Sequence, residues 1–302
     1  SYHSTIRSLW FSIYRYALAT YHRGVWRNIA GSDCVVDPYH LLGECCKVAL
    51  QHPKHVGYQH RDRCDYPHSL YLRSYYRFDV LFQLTIMAKS AQFLRCDALD
   101  ALSMKECGEY IENNFQKLFV DTVNWPSVTA YQPICAVMGA YSEKYLYAHF
   151  VVRENGILAE NYKNLSPVAN DSCVEFFLKT PTSDEYWNFE FNCIGAVNAS
   201  HRVTRPDAIR LTDEELASIK RHSSCGTEPF GEKPGIHTWT LTVAIPLTLI
   251  GINSADMPSH ISGNFYKCAG KATHPHFLSW APIKSEKPNF HLPEFFAPIQ
   301  LL

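Results

Sequence analysis

The first 86 residues of this 302-residue chain lack methionine and contain one glutamate and two lysines, against eight arginines, seven histidines and four cysteines. Position 1 is a serine, and Met87 is the first methionine. The charge is +4 over residues 1–86 and −5 over residues 87–302, which the net charge of −1 conceals. We predict that the natural protein starts at Met87, so that residues 1–86 are an atypical segment foreign to it. The alternative is a genuine N-terminal domain of unusual composition.

The sequence carries no signal for a membrane span, a secretory leader or a zinc ribbon. No run approaches the roughly 18 apolar residues of a membrane helix, and neither Ser1 nor Met87 begins a recognisable signal peptide. The localisation is therefore unknown, with the cytoplasm as default. The eleven cysteines form no CxxC pair, which excludes a zinc ribbon and does not suggest a disulfide framework. Arginines among aromatic residues near the N-terminus match no nucleic-acid-binding motif, so we expect neither nucleic acid nor membrane as a partner.

What is present is a pair of strand-like runs at the centre of the chain. Cys173–Leu178 and Tyr186–Ile194 flank a Pro/Thr/Ser/Asp stretch, which predicts an antiparallel hairpin. In the second run Trp187, Phe189 and Phe191 alternate with polar residues, because strand side chains have a period of two. The pattern predicts one face in the core and the other in water.

Further alternating runs predict strands elsewhere after residue 133. They lie at Ile134–Tyr141, Tyr145–Val152, Thr238–Ile245, Asn264–Cys268 and Pro275–Trp280, with an edge strand in the tail. Residues 153–170 and 223–235 read as loops. Thr212 and Glu215 form a capping box, which predicts a short helix from about Asp213, and a second short helix is plausible within 98–119. The fold class is therefore all-β: a two-sheet antiparallel β-sandwich, jelly-roll-like, with a short helix.

Six ordered motifs give residues 87–302 a resemblance to a known family. They are DSCVEFF from 171, YWNFEFNCIG from 186, the W-x-L-x-V-x-IP pattern from 239, GNFYKC from 263, HFLSWAPI from 276 and PNFHLPEFF from 288. Sequences with these motifs in this order resemble carbohydrate-binding module family 9. The resemblance implies a β-sandwich that binds sugar and catalyses no reaction.

The resemblance also implies a sugar site. Family 9 modules hold a sugar between two tryptophans, near a glutamate that corresponds to Glu175 here. By position the second tryptophan is Trp280. The first is missing, because Ala169 stands six residues before Glu175. Either Tyr162 substitutes for it, or the protein binds differently, or binding is lost.

Other polar residues near the hairpin are candidate ligand-binding groups, because sugars need planar polar side chains beside aromatic rings. They are Asn188, Glu190, Asn192, Arg202 and Arg205. A solvated sheet face and structural hydrogen bonds are the alternatives. Trp125, Trp187 and Trp239 lie on apolar strand faces and are expected in the core.

No metal site or cofactor is expected from spacing; His274 and His276 flank a proline, without a third ligand nearby. Family 9 resemblance leaves structural calcium open. The predicted function is non-catalytic binding of oligo- or polysaccharide, such as xylan, in support of polysaccharide breakdown beside separately encoded glycoside hydrolases. The alternatives are an interaction or haem-binding sandwich that has lost sugar binding, and a glycoside hydrolase that uses Glu175 and Glu190.

Overall fold

The computed structural model describes residues 89–302, together with two short strands, Trp26–Arg27 and Asp33–Cys34, that pair antiparallel. Its contacts divide the chain into residues 1–71 and residues 72–302. The proposed start at Met87 lies outside the described residues and stays a prediction. The fold described below is that of residues 89–302.

Fourteen strands form the sandwich within residues 89–302. In chain order they are β1 (Ala91–Arg95), β2 (Leu118–Phe119), β3 (Thr122–Val123), β4 (Ile134–Tyr141), β5 (Tyr145–Ala159), β6 (Cys173–Lys179), β7 (Tyr186–Asn192), β8 (Val197–Arg202), β9 (Ile209–Arg210), β10 (Lys220–Ser223), β11 (Phe230–Pro246), β12 (His260–Ala269), β13 (His276–Ser279) and β14 (Ala297–Leu301). The predicted all-β sandwich is confirmed.

The strands form two layers that share β1. The front sheet runs β9-β8-β7-β6-β12-β14-β1, and the back sheet runs β1-β4-β5-β11-β10. All neighbours along this path are antiparallel except β1, which pairs in parallel with β14 and with β4. The tail is therefore not the expected edge strand: β14 lies between β12 and β1. Its second partner comes from the opposite end of the domain, which a local pattern cannot show.

Aromatic rings fill the space between the sheets. Phe176 and Phe265 from the front sheet stack with centroids 4.5 Å apart, and Phe93 of β1 packs against both. Gly139 of β4 makes room for this ring, since a Cβ atom there would lie 1.8 Å from the Phe93 side chain. The expected core positions of Trp125, Trp187 and Trp239 are also confirmed, because all three are buried.

One ion pair lies inside this apolar layer. Lys267 Nζ of β12 is 2.8 Å from Glu154 Oε2 of β5, and both side chains are buried. Trp239 Nε1 donates a 2.7 Å hydrogen bond to the other oxygen of Glu154. A buried charge needs such partners, because desolvation of an unpaired ion costs several kcal/mol. The pair ties the front sheet to the back sheet.

The described residues contain two α-helices, α1 (Met104–Asn114) and α2 (Asp213–Ser218). The predicted capping box of α2 is confirmed: Thr212 Oγ1 accepts from the Glu215 backbone, and the Glu215 carboxylate accepts from the Thr212 backbone. Ser103 and Glu106 form the same box at α1, within the range expected for a helix. Neither helix has the length and apolar character of a membrane span.

Two predicted loops are partly strands. β5 continues to Ala159 and β11 begins at Phe230, so residues 153–159 and 230–235 belong to the back sheet. Both extensions contain polar residues and glycine, which weaken the sequence signal for a strand. The two extensions pair with each other across register shifts near Lys233, and each supplies the backbone hydrogen bonds that the other needs.

Candidate functional site

The outer face of β6 and β7 is covered rather than solvated, contrary to the sequence-based expectation. Asn188 and Asn192 are 0 % exposed and Glu190 is 8 % exposed. The cover is the C-terminal segment 288–296, in which Phe290 stacks on Tyr266 of β12 with centroids 4.2 Å apart. Both faces of β7 are therefore buried: one carries apolar side chains, and the other carries the polar side chains of Asn188, Glu190 and Asn192.

A cavity of about 250 Å³ opens between this outer face and the C-terminal segment. Its floor carries Glu175 of β6 and Glu190 of β7. Arg205, Phe277, Phe290 and His291 also line it. The cavity therefore combines two acids, a cation and two half-buried aromatic rings, which we call the outer-face pocket.

Glu175 and Glu190 lie directly opposite each other on neighbouring strands. Burial raises the pKa of Glu175 well above its ordinary value, and the nearby acidic groups of Cys268 and Glu190 act in the same direction. Burial also raises the pKa of Glu190, opposed by hydrogen bonds from Asn198 and Asn188 and by Arg202. Both carboxyl groups thus hold protons more readily than exposed acids do.

Hydrogen bonds fix the orientation of Glu190. Asn188 Nδ2 donates to Oε1 at 3.0 Å, and Asn198 Nδ2 donates to Oε2 at 2.9 Å. Asn188 Oδ1 is buried with no hydrogen-bond partner among the described residues. Asn188 therefore positions Glu190 and keeps one acceptor unused beside it.

Asn192 has a structural role at the end of β7. Its Nδ2 donates to the Asp171 carboxylate at 2.8 Å and to the Asn161 carbonyl, and its Oδ1 accepts from the Ala196 backbone. These bonds close the turn between β7 and β8. Both amide hydrogens are used and the side chain is 0 % exposed, so the ligand role predicted for Asn192 does not fit its placement.

The two candidate arginines differ in position. Arg202 is buried; its guanidinium donates to Ser200 Oγ at 2.7 Å and to the Arg205 carbonyl at 2.8 Å. Arg205 is exposed and lines the pocket. Arg202 thus anchors the loop after β8, whereas Arg205 is the arginine that lines the pocket.

Trp280 lies on the opposite side of the front sheet from the pocket. It is 2 % exposed and packs edge-on against Phe265 in the core between the sheets, with centroids 5.6 Å apart. No face of its ring is free, so the stacking role that the resemblance implied does not fit this placement. The half-buried rings of Phe277 and Phe290 line the pocket instead.

The position of the missing first tryptophan is part of the pocket wall. Ala169 lies in the short turn Val168–Asn170 and lines the cavity. Tyr162, the expected substitute, is 57 % exposed and is not among the lining residues. The pocket wall therefore carries a methyl group at position 169, where the resemblance implied an aromatic ring.

Sequence reasoning missed Phe277, Phe290 and His291 as pocket residues. All three lie within the motifs HFLSWAPI and PNFHLPEFF, so a signal existed. Their orientation depends on how segment 288–296 folds back over the front sheet. His291 is fixed there by the Tyr186 hydroxyl, 3.0 Å from its Nδ1.

Comparisons with known proteins agree with this fold. The family model for carbohydrate-binding family 9 matches residues 108–301. A crystal structure of a candidate carbohydrate-binding protein from Bacteroides uniformis is 31 % identical, covers 71 % of this chain and 100 % of its own, and superposes with a TM-score of 0.66.

Two further structures come from a family 9 module of Caldicellulosiruptor kristjanssonii. The complex with cellotriose is 12 % identical, covers 70 % of this chain and 93 % of its own, and has a TM-score of 0.46. The complex with glucose is 11 % identical, covers 71 % and 96 %, and has a TM-score of 0.47. Among curated proteins no sequence matches the chain.

The fold places the chain among antiparallel β-sandwich domains. With a family match over most of the described residues, the chain belongs to carbohydrate-binding family 9. This is a family of non-catalytic binding modules, and both Glu175 and Glu190 lie within the matched residues.

Proposed function

We propose that the outer-face pocket binds the terminal ring of an oligo- or polysaccharide. The observation that carries this proposal is the combination of two acids, an arginine and two aromatic rings around one cavity on the covered face of the front sheet. Aromatic rings offer a surface for the C–H face of a sugar, and acids and arginine hydrogen-bond its hydroxyls.

The size of the pocket supports binding of the end of a sugar chain. Its volume of about 250 Å³ lies below the roughly 300–1,000 Å³ of pockets that enclose drug-sized ligands. One sugar ring suits such a space, and the rest of the sugar chain then extends out of the pocket. The physiological role that follows is attachment to a polysaccharide such as xylan, in support of its breakdown by separately encoded glycoside hydrolases.

Calorimetric titration of the full chain with xylo-, cello- and manno-oligosaccharides in the presence of a chelator tests the proposal. We expect binding by at least one series, and weaker binding after chemical reduction of the sugar end. Phe290→Leu keeps an apolar side chain but removes the ring. It should weaken binding by roughly tenfold or more, since an aromatic stack contributes about 1–3 kcal/mol.

Matched variants control for indirect effects. Phe296 lies in the same C-terminal segment and contacts Tyr186, but it does not line the pocket. Phe296→Leu should therefore leave binding unchanged. Arg205→Gln should weaken binding, whereas Arg210→Gln, an equally exposed arginine on β9, should not. A folded protein that binds none of the sugars would contradict the proposal.

A further inference from the structure

Three potential metal ligands lie together beside the outer-face pocket, and two of them, Glu175 and Cys268, line it. Cys173 of β6 and Cys268 of β12 are opposite each other in the antiparallel register. Glu175 lies two residues after Cys173, so its side chain leaves the sheet on the same face. One ligand atom from each of the three residues lies within 4.8 Å of the other two, and all three residues are buried.

The spacing of these atoms suits a tetrahedral ion. Zinc binds thiolate sulfur at about 2.3 Å and carboxylate oxygen at about 2.0–2.2 Å, which places tetrahedral ligands about 3.6–3.8 Å apart. Cys268 Sγ is now 3.1 Å from Glu175 Oε1. An ion between them would require these two atoms to separate by about half an ångström, which a small side-chain rotation provides.

The two thiols have few other attachments. Cys173 Sγ is 3.7 Å from the carbonyl of Val174, and Cys268 Sγ is 3.7 Å from the carbonyl of Ala169. These are long contacts of weak donors. Neither thiol is in a disulfide; all seven cysteines within residues 89–302 are free.

The pocket provides access to the cluster. Glu175 and Cys268 both line the cavity, so an ion can enter from it. Two thiolates and one carboxylate form a soft, acidic donor set that favours zinc over calcium, whose ligands are all oxygen. Three protein ligands with one open position is the arrangement of zinc sites that also bind a small molecule.

We propose that Cys173, Cys268 and Glu175 form a zinc site beside the outer-face pocket, with its open position directed into the pocket. Cys173 and Glu175 lie on β6, whereas Cys268 comes from the neighbouring strand β12, 93 residues after Glu175 in sequence. The zinc proposal shares Glu175 with the sugar proposal but can be tested apart from it, because the ion can be titrated with no sugar present.

Metal titration of the full-length, reduced protein without sugar tests the site. Co²⁺, a spectroscopic substitute for Zn²⁺, should give thiolate-to-metal absorption in the near ultraviolet, and Zn²⁺ should displace it. Cys173→Ser and Cys268→Ser should each lose one equivalent of bound metal. Glu175→Gln should bind the metal at least about tenfold more weakly. Loss of a residue that only hydrogen-bonds to a metal ligand already weakens metal binding by about 10–100-fold, and Glu175 is itself a ligand in this proposal.

Cys107→Ser is the matched control. Cys107 is also buried, but it lies on α1, with its Sγ directed to the Leu99 carbonyl 3.2 Å away. This variant should keep the full metal equivalent. Equal binding by the wild type, Cys173→Ser and Cys268→Ser would overturn the proposal, because the metal would then be held by other residues.

Diffraction keeps the proposal testable if the serine variants do not fold. Crystals of the wild-type protein grown with Zn²⁺, measured on both sides of the zinc absorption edge, locate the ion directly. Anomalous density between Cys173, Cys268 and Glu175 supports the site. A zinc-loaded crystal with density only elsewhere contradicts it.

Discussion

The two faces of the front sheet are both buried, but different parts of the chain bury them. The inner face packs Phe176 and Phe265 against the second sheet in a continuous aromatic core. The outer face is covered by segment 288–296 and keeps Glu175 and Glu190 beside a cavity. The back sheet packs against the inner face in a continuous core, whereas segment 288–296 leaves a cavity on the outer face. The difference shows how one strand can contribute to the core on one side and line a cavity on the other.

The strongest test of this comparison removes one ring from each face. Phe265→Ala should lower the free energy of unfolding by about 4 kcal/mol, because Phe265 contacts four other aromatic rings in a tightly packed core. Phe290→Ala should cost about half as much, since Phe290 is only half-buried. Chemical denaturation measures both. Equal losses would show that segment 288–296 is part of the main core.

The inner face contains the buried ion pair of Lys267 and Glu154, and removing its cation tests the contrast further. Lys267→Met leaves Glu154 buried without its cation and should cost about 3 kcal/mol in unfolding free energy. Adding Glu154→Gln should recover most of the loss, because the glutamine oxygen still accepts from Trp239 Nε1. Denaturation of the single and double variants measures the difference. A double variant no more stable than Lys267→Met would show that the loss comes from packing.

The outer face should respond to acid through its cover. Burial lowers the pKa of His291 to about 3, with Arg202 and Arg205 acting in the same direction. The unfolded chain takes up this proton near pH 6.5 and the folded protein does not. The stability present above pH 6.5 therefore falls as the pH drops toward 3, by up to about 1.4 kcal/mol per pH unit for this residue.

His291→Phe should remove that share of the slope while retaining a ring against Phe177. The substitution should also lower the free energy of unfolding by about 1 kcal/mol at neutral pH, because the Tyr186 hydroxyl loses its hydrogen-bond partner. Thermal unfolding from pH 7 to pH 4 measures the slope. The exposed His260 provides the control, since His260→Gln should retain the wild-type slope. An unchanged slope in His291→Phe would contradict this account of the cover.

Local sequence patterns were enough to predict most of the strands, the family and one helix cap. Alternation placed Phe189 and Phe191 on the face that packs inward, because the period of two is a property of the extended backbone. The pair Thr212 and Glu215 specified the start of α2, since a capping box involves residues only three apart. Glu175, Glu190 and Arg205 were also named from sequence, and all three line the pocket.

What covers each face of the front sheet depends on the three-dimensional packing. Alternation shows which side chains share a side, but it carries no information about the segment that packs there. The outer face was therefore expected in water, although a segment about a hundred residues later covers it. The surroundings of Trp280, of Asn192 and of the pair Cys173 and Cys268 could not be predicted for the same reason. Segments distant in sequence form these surroundings, and they come together only when the strands pair in the folded protein.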